Sequence, residues 1–178
     1  MGTTGCSVQV LKGCVVMEFD VTIEIPKGTR NKYVFDHRTG RLRLDRTLFT
    51  ATQYPADYGF IDGTWTAQKD ALDALVLVRE PTFPGCLIRC RPIGMFRMSD
   101  ELGPTPKVLC VPTADVRLVE LRDITDLDPF LQLEIQHFFE IYKAIEPGKS
   151  VDVGGERWAG RADAEAQIIA AFGGQEPT

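Results

Sequence analysis

Two periodicities divide the chain. Over residues 20–25 apolar and polar positions alternate, with Val21, Ile23 and Ile25 on one side and Asp20, Thr22 and Glu24 on the other. That is the pattern of a half-buried strand, ended here by Pro26. Residues 32–36 predict a second short strand, residues 37–40 a turn, and residues 41–45 a third strand with Leu42 and Leu44 on one face. Glu24, Arg43 and Asp45 then project from polar faces, and Arg46 lies just beyond. The continuous apolar run 75–78 reads as a buried strand, with Asp70 and Asp73 at its mouth. Residues 86–98 predict a long strand, bent or bulged at Pro92 and Gly94. Residues 99–106 form a loop that carries Asp100 and Glu101, and residues 107–111 a further strand ended by Pro112. Short strands separated by turns predict a small barrel.

The period changes in the last third. Phe130, Leu133, Phe138, Ile141, Tyr142 and Ile145 recur every three or four residues, as on a helix packed against the barrel. Asp126 or Asp128 can cap it, Pro129 falls in its first turn, and Pro147-Gly148 stops it. Residues 161–172, rich in alanine, predict a second helix. Residues 1–16, broken by Gly2, Gly5 and Gly13, read as an extension that adds a short edge strand at 8–11. With no repeat, low-complexity tract or linker, residues 17–178 read as one domain.

Composition narrows the classes. A 44% hydrophobic and 25% charged chain of 178 residues has the make-up of a soluble globular domain. A net charge of -5 argues against nucleic acid as a partner. Cys6, Cys14, Cys86, Cys90 and Cys110 form no CxxC pair and accompany only two histidines, which argues against a zinc site. Residues 1–16 hold no apolar run of signal-peptide or membrane-span length, so a reducing cytoplasm is expected.

The polar residues able to do chemistry are scattered: Glu24, Lys32, Arg46, Tyr54, Tyr58, Asp70, Asp73, Asp100, Lys107, Tyr142 and Lys143. Taken singly, each reads as a solvated surface group. Brought together by a barrel, the acids could hold divalent cations and the cations could hold phosphate oxygens, Arg in a bidentate fork. Tyrosine hydroxyls could donate to the same oxygens. Such a cavity is what metal-dependent phosphoryl transfer needs.

A set of ordered motifs then stands out: Asp20-Val-Thr-Ile-Glu-Ile-Pro-Lys-Gly28, Asn31-Lys-Tyr33, Leu44-Asp-Arg46, Tyr54-Pro-Ala-Asp-Tyr-Gly-Phe60, Asp70-Ala-Leu-Asp-Ala-Leu-Val76, Pro84-Gly85, Arg91-Pro-Ile-Gly-Met95, Lys107-Val-Leu-Cys-Val-Pro112 and His137-Phe-Phe-Glu-Ile-Tyr-Lys143. In these the chain resembles the family I soluble inorganic pyrophosphatases of actinobacterial type, from about residue 17 to the last helix. The resemblance implies an α+β, mainly β fold: an OB-like five-stranded barrel with flanking C-terminal helices, hexameric in bacteria. It also implies Mg-dependent hydrolysis of diphosphate, with Mn as a substitute metal. Asp70 matches the general base, Asp73 a metal-bridging carboxylate, and Glu24 and Asp100 further metal ligands. Lys32, Arg46, Lys107, Tyr142 and Lys143 match phosphate-contacting groups, and Tyr54 and Tyr58 active-site tyrosines.

The departures are equally specific. The family pattern Asp-x-Asp-Pro-x-Asp is here Gln68-Lys-Asp-Ala-Leu-Asp73, so a ligand acid has become Gln68 and the proline Ala71. A second ligand acid has become Thr105, and a third, in the wider site, Val34. The phosphate-binding set is kept while metal-binding acids are lost. Neutral oxygens hold Mg more weakly than carboxylates. The expectation is therefore a pyrophosphatase-like enzyme with weakened diphosphate hydrolysis. The alternatives are recruitment to another reaction on a diphosphate-bearing metabolite, or a non-catalytic phosphate-binding homologue.

Overall fold

A computed structural model describes residues 7–11, 14–152 and 154–174. The extension expected at residues 1–16 thus falls partly outside the described residues. Its edge strand is β1 (Ser7–Leu11), antiparallel to β2 (Cys14–Ile25). There follow the hairpin β3 (Asn31–Asp36) and β4 (Arg41–Thr47), then β5 (Asp57–Ile61), β6 (Asp73–Val76) and β7 (Leu87–Phe96). Two-residue strands β8 (Ser99–Asp100) and β9 (Gly103–Pro104) precede β10 (Lys107–Pro112). The C-terminal part holds α1 (Pro129–Ile141), β11 (Val151–Asp152), β12 (Trp158–Gly160) and α2 (Arg161–Phe172).

Strands β2, β5, β6, β10 and β7 lie side by side, and β7 pairs back to β2, which closes a five-stranded barrel. Only β6–β10 among these pairings is parallel. Closure removes the free edges that an open sheet would expose. Alternate residues of each strand feed two separate cores. Ile25, Leu75, Leu109 and Val111 pack with Ile135, Phe138 and Phe139 of α1. Val21, Ile23, Ala74, Val76, Val108 and Cys110 pack with Ile168 and Ala171 of α2. Burial on both faces explains why β6 reads as an unbroken apolar run and not as an alternation.

Three ladder irregularities matter for the site. Between β2 and β5, Ile23 faces Gly59 and Ile25 faces Tyr58, so Glu24 is the unpaired residue of a bulge. Between β3 and β4, Lys32 faces Arg46 and Tyr33 faces Leu44, which leaves Asp45 as the extra residue. Between β10 and β7 the shift falls at Leu109/Cys110, opposite Gly94 and Pro92, where the sequence predicted a bend. Bulges of this kind interrupt pairing and re-aim side chains.

The helical expectation is refined at both ends. Asp128, not Asp126, caps α1, accepting from the Phe130 amide at 2.7 Å. The helix stops at Ile141, four residues short of Ile145. The chain continues in tight turns, with the Ala144 amide on the Ile141 carbonyl and the Glu146 amide on Lys143, both at 2.9 Å. Tyr142 and Lys143 are buried there, while Ile145 faces solvent. β5 falls where the residue pattern predicted no strand, because its two buried faces leave no alternation to read.

Gly59 marks the tightest point of the barrel. A Cβ at this position would overlap the Thr22 carbonyl oxygen and come within 2.9 Å of the Ile23 Cα. Both obstacles are backbone, so neither can rotate away. Gly59→Ala is expected to cost about 3 kcal/mol or more, read as a lowered urea midpoint.

Candidate active site

One cavity of about 510 Å³ opens at the ends of β2, β3, β5, β6 and β10, and its walls include all eleven residues singled out from the sequence. Glu24, Lys32, Arg46, Tyr54, Tyr58, Asp70, Asp73, Asp100, Lys107, Tyr142 and Lys143 come from segments more than a hundred residues apart in the chain. Closure of the barrel and the docking of α1 bring them together. Gln68, Thr105 and Val34, the three altered positions, line the same cavity.

Each side chain has a distinct local cause. Glu24 leaves the ladder at its bulge, and its carboxylate accepts from the Phe35 amide at 2.7 Å, which ties β3 to β2. Burial pushes its pKa up to about 7, against the pull of that amide, and Asp73 and Asp70 add to the rise. Lys32 lies directly across the ladder from Arg46. Burial first, and then this like charge, lower its pKa, with Asp45 opposing at 3.7 Å. Arg46 is clamped by Glu146 through Nε at 3.0 Å and Nη2 at 2.7 Å, and also pairs with Asp45. Tyr54 and Tyr58 meet edge to face at 5.4 Å, and Phe138 backs Tyr54 at 4.8 Å. Burial raises the pKa of Tyr54, Tyr58 and Tyr142, so all three remain neutral hydrogen-bond donors.

The acids divide into two kinds. Asp73, at the start of β6, is ion-paired with Lys107, which also donates to Thr105 Oγ1 at 2.6 Å. Asp100 accepts from Lys143 at 3.0 Å. Burial pushes the Asp100 carboxyl up, but the Leu102 amide and Lys143 together outweigh it and hold it below the ordinary range. Asp70 is exposed, makes no ion pair among the described residues, and accepts from the Ala71 amide at 3.0 Å. It follows a tight turn in which Lys69 adopts a left-handed φ of 62° and the Thr66 amide bonds the Asp70 carbonyl at 2.8 Å.

The donor set suits a hard divalent cation in type, since every candidate ligand is oxygen. In number it is sparse. Among the described residues no three His, Cys, Asp or Glu side chains converge as a metal cluster. Mg commonly binds through one or two carboxylates, with water and phosphate oxygens completing its shell. Asp73, Asp70, Asp100 and Glu24 fit that mode.

Sequence reasoning missed Glu146 and Glu101. Glu146 holds Arg46 from a hundred residues away, and no local pattern links the two. Glu101 had been placed only in a loop. It lies 3.6 Å from Lys143 and 2.7 Å from Lys149.

The inorganic pyrophosphatase family matches residues 21–173. The inorganic pyrophosphatase of Streptomyces coelicolor is 65% identical over 152 residues, covering 85% of this chain and 92% of that protein. That of Leifsonia xyli subsp. xyli is 49% identical over 158 residues, covering 89% and 96%. The crystal structure of the inorganic pyrophosphatase from Thermus thermophilus superposes with a TM-score of 0.85 at 40% identity, covering 94% of this chain and 95% of that one. These similarities favour an ordinary inorganic pyrophosphatase. Weakened hydrolysis, a different reaction and a non-catalytic role gain no support from them.

Glu24 generates a pH prediction. Its pKa lies at about 7 in the folded chain against 4.5 ordinarily. The folded state therefore holds more protons across that window, and stability falls as pH rises through it, levelling off above. In metal-free buffer Glu24→Gln should remove about 3 kcal/mol of this fall. Urea midpoints at a series of pH values would show a flatter profile for the variant.

Proposed function

The chain belongs to the inorganic pyrophosphatase family, and from that membership we propose that its cavity hydrolyses diphosphate to two phosphates with a divalent cation, Mg or in its place Mn. The observation that carries this reading is the convergence of Lys32, Arg46, Lys107 and Lys143 in one cavity with Asp70, which makes no ion pair among the described residues. Lys32, Arg46, Lys107 and Lys143 hold the oxygens of the anion, and the Tyr54, Tyr58 and Tyr142 hydroxyls donate to it. Asp70, which makes no ion pair among the described residues, takes the proton of the attacking water. The water oxygen bonds to one phosphorus as the bridging P–O bond breaks, and the second phosphate leaves with the bridging oxygen. A bound divalent cation would neutralise phosphate charge and acidify water, with Asp73, Asp70, Asp100 and Glu24 as its protein ligands.

Gln68 and Thr105 bear on the metal requirement. Gln68 reaches the β8–β9 turn, its Nε2 3.5 Å from where a Gly103 Cβ would stand. Thr105 Oγ1 lies 3.4 Å from Asp73 Oδ2. Both present neutral oxygens where the family carries acids. The finer proposal is that turnover needs more metal, so that hydrolysis is weakened at limiting Mg.

Two outcomes test this. Asp70→Asn should lower phosphate release from diphosphate by about 10²- to 10⁴-fold while leaving the affinity for methylenediphosphonate nearly unchanged; unaltered release would remove Asp70 from the mechanism. Gln68→Asp combined with Thr105→Asp should lower the Mg concentration for half-maximal release by more than the two single changes together suggest. An unchanged Mg requirement in the folded double variant would separate these positions from metal binding.

A further inference from the structure

Asp70 is placed by its backbone. Among the described residues no side chain from another element grips its exposed carboxylate, which accepts from the amide of its own neighbour Ala71 at 3.0 Å. It rides on a loop, residues 62–71, that leaves the end of β5 at Ile61 and returns at Leu72. The tip of the loop is closed by the Lys69 amide on the Thr66 carbonyl at 2.9 Å and the Thr66 amide on the Asp70 carbonyl at 2.8 Å. Most of the loop lies at the surface: from 62 to 70 the one buried residue is Thr64, and it is wholly buried. Its hydroxyl bridges the two ends of the loop, donating to the Ile61 carbonyl at 2.6 Å and accepting from the Leu72 amide at 3.0 Å. A hydroxyl has one proton to give, so its donor is fully committed. Beside this lock the Ile61 amide bonds the Leu72 carbonyl at 2.9 Å. One residue on, the Trp65 amide bonds the Ala171 carbonyl of α2 at 2.9 Å, which hangs the loop from the C-terminal helix. Ala71, between Asp70 and Leu72, has no ring to fix its φ. The return from the tip is therefore held at the Leu72 amide, two residues from the carboxylate.

We propose that Thr64 is a positioning residue for Asp70: its hydroxyl fixes the neck of the loop against α2 and so sets where the base stands relative to the bound anion. This rests on the diphosphatase reading above, in which Asp70 takes a proton from water. Proton transfer needs hydrogen-bond reach, and a misplacement of about 1 Å caused by a change away from the chemistry costs about 10²-fold in rate. Replacing the hydroxyl by a methyl group leaves the Leu72 amide without its buried acceptor, which is costly. The loop then relieves that cost by shifting, and Asp70 shifts with it.

The test compares Thr64→Val, Thr64→Cys and Thr64→Ser at saturating Mg and diphosphate, each alone and combined with Asp70→Asn. Thr64→Val should lower kcat about 10- to 100-fold, while the KM for diphosphate and the calorimetric affinity for methylenediphosphonate change by less than about twofold. Thr64→Ser keeps the hydroxyl and should retain most of kcat. Thr64→Cys keeps the volume with only a weak donor and should fall between the two. With Asp70→Asn in place, Thr64→Val should cost less than about a further twofold, because the two changes remove one function. Independently of turnover, amide hydrogen exchange in Thr64→Val should quicken at Leu72 and Thr66. Circular dichroism checks the fold of each variant, and if valine abolishes it the cysteine variant carries the comparison. An unaltered kcat in that folded variant would overturn the proposal, as would a serine variant as slow as it. So would a loss of affinity as large as the loss of kcat, or an equal loss of kcat with and without Asp70→Asn. If Asp70→Asn is itself slow in those cases, the diphosphatase reading stands and only the role of Thr64 falls. If Asp70→Asn releases phosphate at the unaltered rate, Asp70 leaves the mechanism and the proposal falls with it.

Discussion

Burying ammonium groups at the mouth of a barrel is the constraint that the site is built around. Lys107 opens β10 and Lys143 follows α1, and both are almost wholly withdrawn from water. A buried cation is tolerated only with a charged or hydrogen-bonding partner. Asp73 and Asp100 supply the partners, and each stands on a different strand, β6 and β8. The Lys107–Asp73 pair therefore reinforces the β6–β10 ladder, and the Lys143–Asp100 pair ties the segment after α1 to β8, which that ladder does not reach. Lys107 also stands over the Tyr58 ring at 5.8 Å and Lys143 over the Tyr142 ring at 5.5 Å, which places aromatic faces where water would otherwise solvate the charge. The barrel thus presents charge in a cavity with little solvent competition, the condition under which phosphate oxygens are held strongly.

Much of this was legible in the chain. The alternation at 20–25, the turn at 37–40, Pro92 and Gly94 in a long strand, and the 161–172 helix each correspond to an observed feature, because each depends on local chemistry. β5 was hidden because Asp57 to Ile61 is buried on both sides, so no period of two survives. The early end of α1 was hidden because the periodicity continues through Ile145, while the backbone tightens to keep Tyr142 and Lys143 in the cavity. The bulge at Glu24 leaves no mark in the residue pattern, since Val21, Ile23 and Ile25 remain buried across it. Most consequential was the pairing of Arg46 with Glu146, a contact set wholly by tertiary structure.

That last contact separates the cations of the cavity into two mechanical classes. Arg46 donates in parallel from Nε and Nη2 to a buried carboxylate, and its planar fork gives the grip a fixed direction. Three of its five donors remain for other oxygens after Nε and one Nη hydrogen are committed to Glu146, and Asp45 competes for one of these. It is a rigid arm. Lys107 and Lys143 carry point charges on flexible stems, a geometry that fixes no direction. The contrast follows from side-chain chemistry: a guanidinium offers direction, and an ammonium on a flexible stem allows charge to be redistributed without shifting the backbone. Substituting lysine for Arg46, or arginine for Lys107, would preserve net charge and destroy that division of roles. Charge count alone therefore does not describe the cavity. The rigidity of each cation is set by the carboxylate that holds it.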